Sequence, residues 1–201
     1  VQDPLFNSIL IRSNESLIRL YKILGGNEEK IKYLRSKNEK SLISINEKLY
    51  NSSIGAYLHF DLRNKKNIPL VCSSSFSPLF CGAPNFKIAQ RLKSTLVEKF
   101  GKEDYYLCSS FDPEGIQHDP KKYWRGPVWI NLNWILYNGL KRYKFKETAK
   151  RIKNDSLELV DKLGFYEYFN PSKKNSKNNK GYGGENFSWS AALTIDFLSE
   201  K

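Results

Sequence analysis

The chain contains no methionine, three cysteines and two histidines among its 201 residues, and carries 21 carboxylates against 33 lysines and arginines. Each shortage narrows the function. Cys72, Cys81 and Cys108 form no C-x-x-C pair and leave an odd one over, so neither a zinc site nor a complete disulfide framework is indicated. They read as small buried hydrophobes. His59 and His118 sit in no recognisable motif, so a histidine-based metal centre or a Ser–His triad finds no support, and no metal or other cofactor is expected. No apolar run reaches the length of a membrane span, and no signal peptide opens the chain. Membrane partners are therefore not expected, and the cytoplasm is the expected compartment. The lack of methionine, with Val1 as first residue, also raises the expectation that the true N-terminus lies upstream.

The deficit of acidic residues leaves a formal charge of +12, which first suggests nucleic acid. The lysines, however, are scattered among Asn, Ser and Glu through positions 22–48 and 141–180, as on solvated helix faces. No nucleic-acid-binding motif accompanies them, so nucleic acid is not expected as a partner, whereas a small anionic substrate stays open. With 40% hydrophobic and 14% aromatic residues the chain can bury a sizeable core.

What is present is mostly helical periodicity. Asp3 and Pro4 open a helix whose apolar residues run from Leu5 to Leu24, and Gly25-Gly26 stops it. Asn27 caps a second helix reaching about Tyr50. Residues 54–62 alternate weakly and read as extended, with His59 structural or at the surface. A short helix over 73–80 meets the turn at 82–84, and an amphipathic helix over 85–100 ends at Gly101. After an extended piece at 105–108 and a turn-rich loop at 112–120 comes the stretch around which the chain is organised, Tyr123–Leu140. Pro127 predicts a helix start there, and its near-complete apolar circumference predicts a central helix. Its partner covers 146–163, stopped by Gly164. Residues 165–186 have no helical period, and the lysine- and asparagine-rich run at 173–180 reads as a mobile loop tip. A last apolar helix covers 187–198. The pattern makes an all-α chain of about seven helices in hairpins, with short extended excursions.

Tyr123, Trp124 and Trp129 crowd the front of the central helix. Arg125 and Gly126, a cation and a bare backbone among those rings, suit a hydroxyl-rich ligand better than dry packing does. Two further clusters, F-Y-E-Y-F-N-P and G-Y-G-G-E-N-F-S-W-S, place Glu167 and Glu185 among aromatics. Glu167 can serve as a general acid or base, or as an ordinary loop glutamate. Glu185, after a Gly-Gly that permits close backbone approach, can bind sugar hydroxyls or serve a capping or structural role.

In this order, V-Q-D-P-L-F-N, F-S-P-L-F-C-G, Y-W-R-G-P-V-W-I-N-L-N-W, Y-E-Y-F-N-P and G-G-E-N-F-S-W-S-A-A-L resemble the C-terminal part of glycoside hydrolase family 63 and its mannosylglycerate/glucosylglycerate hydrolase relatives. The resemblance implies an (α/α)6 toroid, of which residues 1–201 form an incomplete, C-terminal part of one catalytic domain. It implies inverting hydrolysis of a small α-glucoside or α-mannoside, with a small carbohydrate as partner. Carried over, Glu167 corresponds to the catalytic base. Tyr123, Trp124 and Trp129 match pocket-lining aromatics, and Arg125 and Glu185 are supporting pocket residues. Inversion needs a second, protonated carboxyl group at roughly 6.5–9.5 Å from the base. The family supplies it from an S-G-x-D-N-S-like stretch that this chain lacks, so the acid is expected upstream of Val1. Asp112 or Asp61 as a remodelled acid is the alternative. An oligosaccharide α-glucosidase and a non-catalytic carbohydrate-binding module are the rival functions.

Overall fold

A computed structural model describes residues 1–174 and 180–199, so the middle of the expected loop tip, 175–179, lies outside the described residues. Helix α1 (Pro4–Ile23) begins because Asp3 accepts hydrogen bonds from the N–H groups of Leu5 and Phe6, which no carbonyl within the helix can satisfy. Asn27 and Asn85 do the same for α2 (Glu28–Leu49) and α4 (Phe86–Phe100). A 3-10 turn at Ser73–Phe76 leads into the single-turn α3 (Pro78–Cys81), while α5 (Ile130–Arg142), α6 (Lys146–Leu163) and α7 (Ser188–Ser199) complete the helices.

Helices α1, α3, α5 and α7 touch one another in succession, with α2 packed behind α1 and α6 behind α5 and α7. Helix α4 backs the 3-10 turn, where the rings of Phe76 and Phe100 meet edge to face at 5.6 Å. Among the described residues the result is an inner row of four helices and an outer row of three. The core, which includes Tyr57, Phe76, Leu92, Phe100, Leu136 and Ile152, fills the space between the rows. Helix α5 sits mid-row, and no residue from Ile130 to Leu140 is exposed. The two ends of the row are bare. On α1 the side chains of Phe6, Leu10, Leu20 and Ile23 are exposed, as are Trp189, Ile195 and Leu198 on α7.

The extended excursions gather where the inner helices begin. Strand β1 (Tyr50–Asn51) pairs with β2 (Ala56–Tyr57), β3 (Phe60–Asp61) with β4 (Lys66–Asn67), and β5 (Tyr168–Phe169) with β6 (Gly181–Tyr182), all antiparallel. Single-residue bridges join Gln2 to Phe60, Cys72 to Phe111, Ser109 to Val128 and Val128 to Phe169. Those at Cys72, Ser109 and Val128 tie the segments entering α3 and α5 to the segment that carries Glu167. They also correct the start of the central helix. Val128 donates its N–H to Phe169 at 2.8 Å and accepts from it at 2.9 Å, so the chain stays extended past Pro127 and α5 begins only at Ile130. Among the described residues no helix is long and apolar enough to cross a membrane.

Candidate active site

Because Val128 is held extended between Ser109 and Phe169, the residues before it are folded back as a tight loop. Asp119 donates its N–H to the Arg125 carbonyl at 2.7 Å, and Arg125 donates to Lys122 at 2.8 Å. Gly126 is buried in this fold, where an added Cβ would lie 2.7 Å from the Asp119 carbonyl oxygen and 2.9 Å from His118 Nε2. Its bareness serves the packing of this loop. The Trp129 indole N–H donates to the Tyr123 carbonyl at 3.0 Å, which pins the aromatic stretch to the head of α5.

The expected aromatics converge. Trp129 is sandwiched, its ring stacked on Trp124 at 4.4 Å and on Tyr168 at 5.0 Å. Tyr123 meets Trp124, Trp129 and Tyr168 edge-on at 5.3, 4.6 and 5.1 Å. Burial separates their roles. Trp129 is 4% exposed, whereas Trp124 is 53% and Tyr123 45% exposed, so Trp124 and Tyr123 offer the accessible surface and Trp129 supports them from within. Tyr168 was readable only as a neighbour of Glu167. Its place against Trp129 follows from the bridge between Val128 and Phe169, which no local pattern reveals.

Glu167 lies just before β5 and is half-buried. The Tyr123 hydroxyl donates to its Oε1, and the Gly184 N–H donates to its Oε2 at 3.3 Å. Its own backbone N–H donates to the Gly184 carbonyl at 3.1 Å. The hydrogen bond to Glu167 pushes the Tyr123 phenol above its ordinary range, since losing the proton would place two anions side by side. Gly183 supplies a further contact that sequence reasoning missed. Its φ is +76°, and a Cβ there would fall 2.3 Å from Glu167 Oε2.

Among the described residues neither Glu185 nor Arg125 gives a side-chain hydrogen bond to Glu167. Glu185 is exposed and accepts from the Tyr166 hydroxyl at 3.1 Å. Arg125 is half-buried, and no ion pair involves its guanidinium among the described residues. Both alternative acids are already engaged by other groups. Asp61 is locked into its own turn by the N–H groups of Arg63 and Asn64 and the Asn64 amide, and these donors hold its carboxyl below the usual range, the Asn64 amide most of all. Asp112 is paired with the Lys99 ammonium at 2.8 Å. An open cleft of about 540 Å³ between α1, α3 and α5, lined by residues including Arg12, Glu15, Phe80, Asn138 and Arg142, contains none of these site residues.

A half-buried carboxylate held by a phenol and a backbone amide beside a stack of aromatic rings suits proton transfer next to a sugar ring. The mannosylglycerate hydrolase MGH1-like glycoside hydrolase domain model matches residues 1–190. The chain belongs to that family. It is 36% identical over 207 residues to the mannosylglycerate hydrolase of Rubrobacter radiotolerans, covering all of this chain and 44% of that protein. The Thermus thermophilus enzyme of the same name is 38% identical over 195 residues, covering 97% of this chain and 45% of the relative. A crystal structure of a GH63 mannosylglycerate hydrolase from Thermus thermophilus in complex with glucose superposes with a TM-score of 0.88 at 36% identity, over 98% of this chain and 48% of that one. Neutral trehalase Nth1 from Saccharomyces cerevisiae, at 14% identity and a TM-score of 0.73, shares the fold alone. The MGH1-like chain thus spans less than half the length of these curated relatives.

Proposed function

We propose that residues 1–201 are the C-terminal part of a single (α/α)6 catalytic domain that hydrolyses a small α-glucoside or α-mannoside of the glucosylglycerate or mannosylglycerate kind, with inversion. The observation that carries this reading is the Glu167 carboxylate, fixed by the Tyr123 hydroxyl and the Gly184 N–H at the edge of the Trp124–Trp129–Tyr168 stack. Glu167 takes a proton from a water molecule, whose oxygen attacks the anomeric carbon from the face opposite the leaving group. A carboxylic acid upstream of Val1 gives its proton to the glycosidic oxygen as that bond breaks, so the products are the inverted free sugar and the alcohol of the aglycone. Trp124 and Tyr123 give the sugar an apolar platform, and Arg125, with no ion-pair partner among the described residues, is available to an anionic aglycone.

The test is the complete protein carrying Glu167→Gln. Turnover of glucosylglycerate and mannosylglycerate is expected to fall by about 100- to 10,000-fold, the usual contribution of a general base, with substrate binding retained. Product released by the unaltered enzyme, followed by NMR before mutarotation, is expected as the inverted anomer. Near-normal turnover by the variant would remove Glu167 from the mechanism. The exposure of the Trp124 and Tyr123 rings favours one second reading, a sugar-binding module without turnover. That reading holds if the complete protein binds these glycosides and releases no product.

A further inference from the structure

We propose that Tyr123 is the positioning residue of the Glu167 carboxylate, acting through its hydroxyl with the Gly183–Gly184 backbone as the opposite support. The inference rests on Glu167 being the base, and it assigns Tyr123 a task beyond lining the sugar platform.

A glutamate has several side-chain torsions to restrain, and a base that wanders out of reach of its water loses its effect. Here both oxygens are accounted for by groups that cannot follow such wandering. Tyr123 is fixed at its backbone, where its carbonyl accepts from the Trp129 indole at 3.0 Å. Its ring is fixed too, by edge contacts with Trp129, Trp124 and Tyr168. A side chain clamped at both points has one free group, the hydroxyl, and it is aimed at Glu167 Oε1. On the other side the Gly184 N–H reaches Oε2 at 3.3 Å, and the space for that oxygen exists because residue 183 has no Cβ. An ordinary phenol is already a donor at neutral pH, and Glu167 shifts this one further in the same direction. A residue that only lined the platform would need neither the hydroxyl nor this aim.

The experiment uses the complete enzyme and steady-state kinetics on its glycoside. Tyr123→Phe is expected to lower kcat by about 10- to 100-fold, the scale of one charge-assisted hydrogen bond, with KM changed less than about two-fold. Gly183→Ala is expected to lower kcat similarly by displacing Oε2. In a Glu167→Gln background, Tyr123→Phe is expected to add nothing, because the two act as one unit. Ring-fluorinated tyrosines at position 123 retain size and hydroxyl, guarding against misfolding of the phenylalanine variant. They are expected to restore kcat at low pH and to bring in an alkaline limb that moves down as the phenol becomes more acidic, since a phenolate cannot donate. A normal kcat in Tyr123→Phe with Glu167→Gln inactive would overturn the positioning role and leave the base in place. So would a rise in KM alone, or a fluorinated series without the alkaline limb. If Glu167→Gln is itself active, both readings fall together.

Discussion

His59 and His118 are the only histidines of the chain, and their surroundings drive them apart. Asp3 Oδ2 lies 2.8 Å from His59 Nε2, while Cys72 and the Ser74 hydroxyl face the same ring. The hydrogen bond to Asp3, then that to Cys72, outweighs burial and pushes the imidazole from its ordinary 6.5 up to about 10. His118 lies beneath Gly126 with Nε2 buried and unpartnered among the described residues, and burial lowers its titration despite the nearby Asp119 and Asp112. NMR of the ring protons is expected to give two well-separated titrations, one above and one below the ordinary histidine range. Because the proton on His59 is held more tightly in the fold, its stabilisation is complete below about 6.5 and is lost as pH rises through about 10. In the complete protein Asp3→Asn, which keeps a capping side chain on α1, is expected to flatten this loss in urea unfolding across that window. An unchanged pH dependence would detach Asp3 from His59.

At the scale of elements, the aromatic shelf divides into a surface and a support. Trp124→Ala is expected to weaken substrate binding by about 1–3 kcal/mol, the order of one large apolar contact, with little change in unfolding. Trp129→Ala removes a ring sandwiched between Trp124 and Tyr168 at the head of α5. Its expected cost is about 3–5 kcal/mol of stability, by the cavity it leaves. Calorimetry of the complete protein together with ligand titration separates the two, and equal effects on binding and melting would erase the distinction. Val128 is the hinge of this arrangement, and it also marks where sequence reasoning stops. The caps at Asp3 and Asn27, and the helix ends at Gly101 and Gly164, are local chemistry and stand where the sequence places them. The two residues between Pro127 and Ile130 are not local. A proline followed by valine and tryptophan suits a first helical turn equally well, and only Ser109 and Phe169, far along the chain, hold it extended. For the same reason Glu167 is legible as a carboxylate among rings and from its family motif, whereas its contacts with Tyr123 and Gly183 depend on pairing across segments.

For the whole molecule, the inner row of helices ends abruptly on both sides. Phe6, Leu10 and Ile23 on α1 and Ile195 and Leu198 on α7 are left exposed, more apolar surface at each flank than scattered side chains account for. On the proposed reading both flanks pack against the rest of the domain. Residues 1–201 alone are therefore expected to hydrolyse neither aryl α-glycosides nor glucosylglycerate, and to unfold in calorimetry without a sharp cooperative transition. A sharp transition, or turnover with an inverted product, would contradict this. The pairing of β5 with β6 has another consequence. Tyr168 opposite Tyr182, Phe169 opposite Gly181, and the hydrogen bond from Asn170 to Lys180 at 3.2 Å close the neck of the segment between them. Glu167 immediately precedes β5 and Gly183–Gly184 follow β6, so a one-residue slip of this register would part the carboxylate from the backbone N–H that supports it.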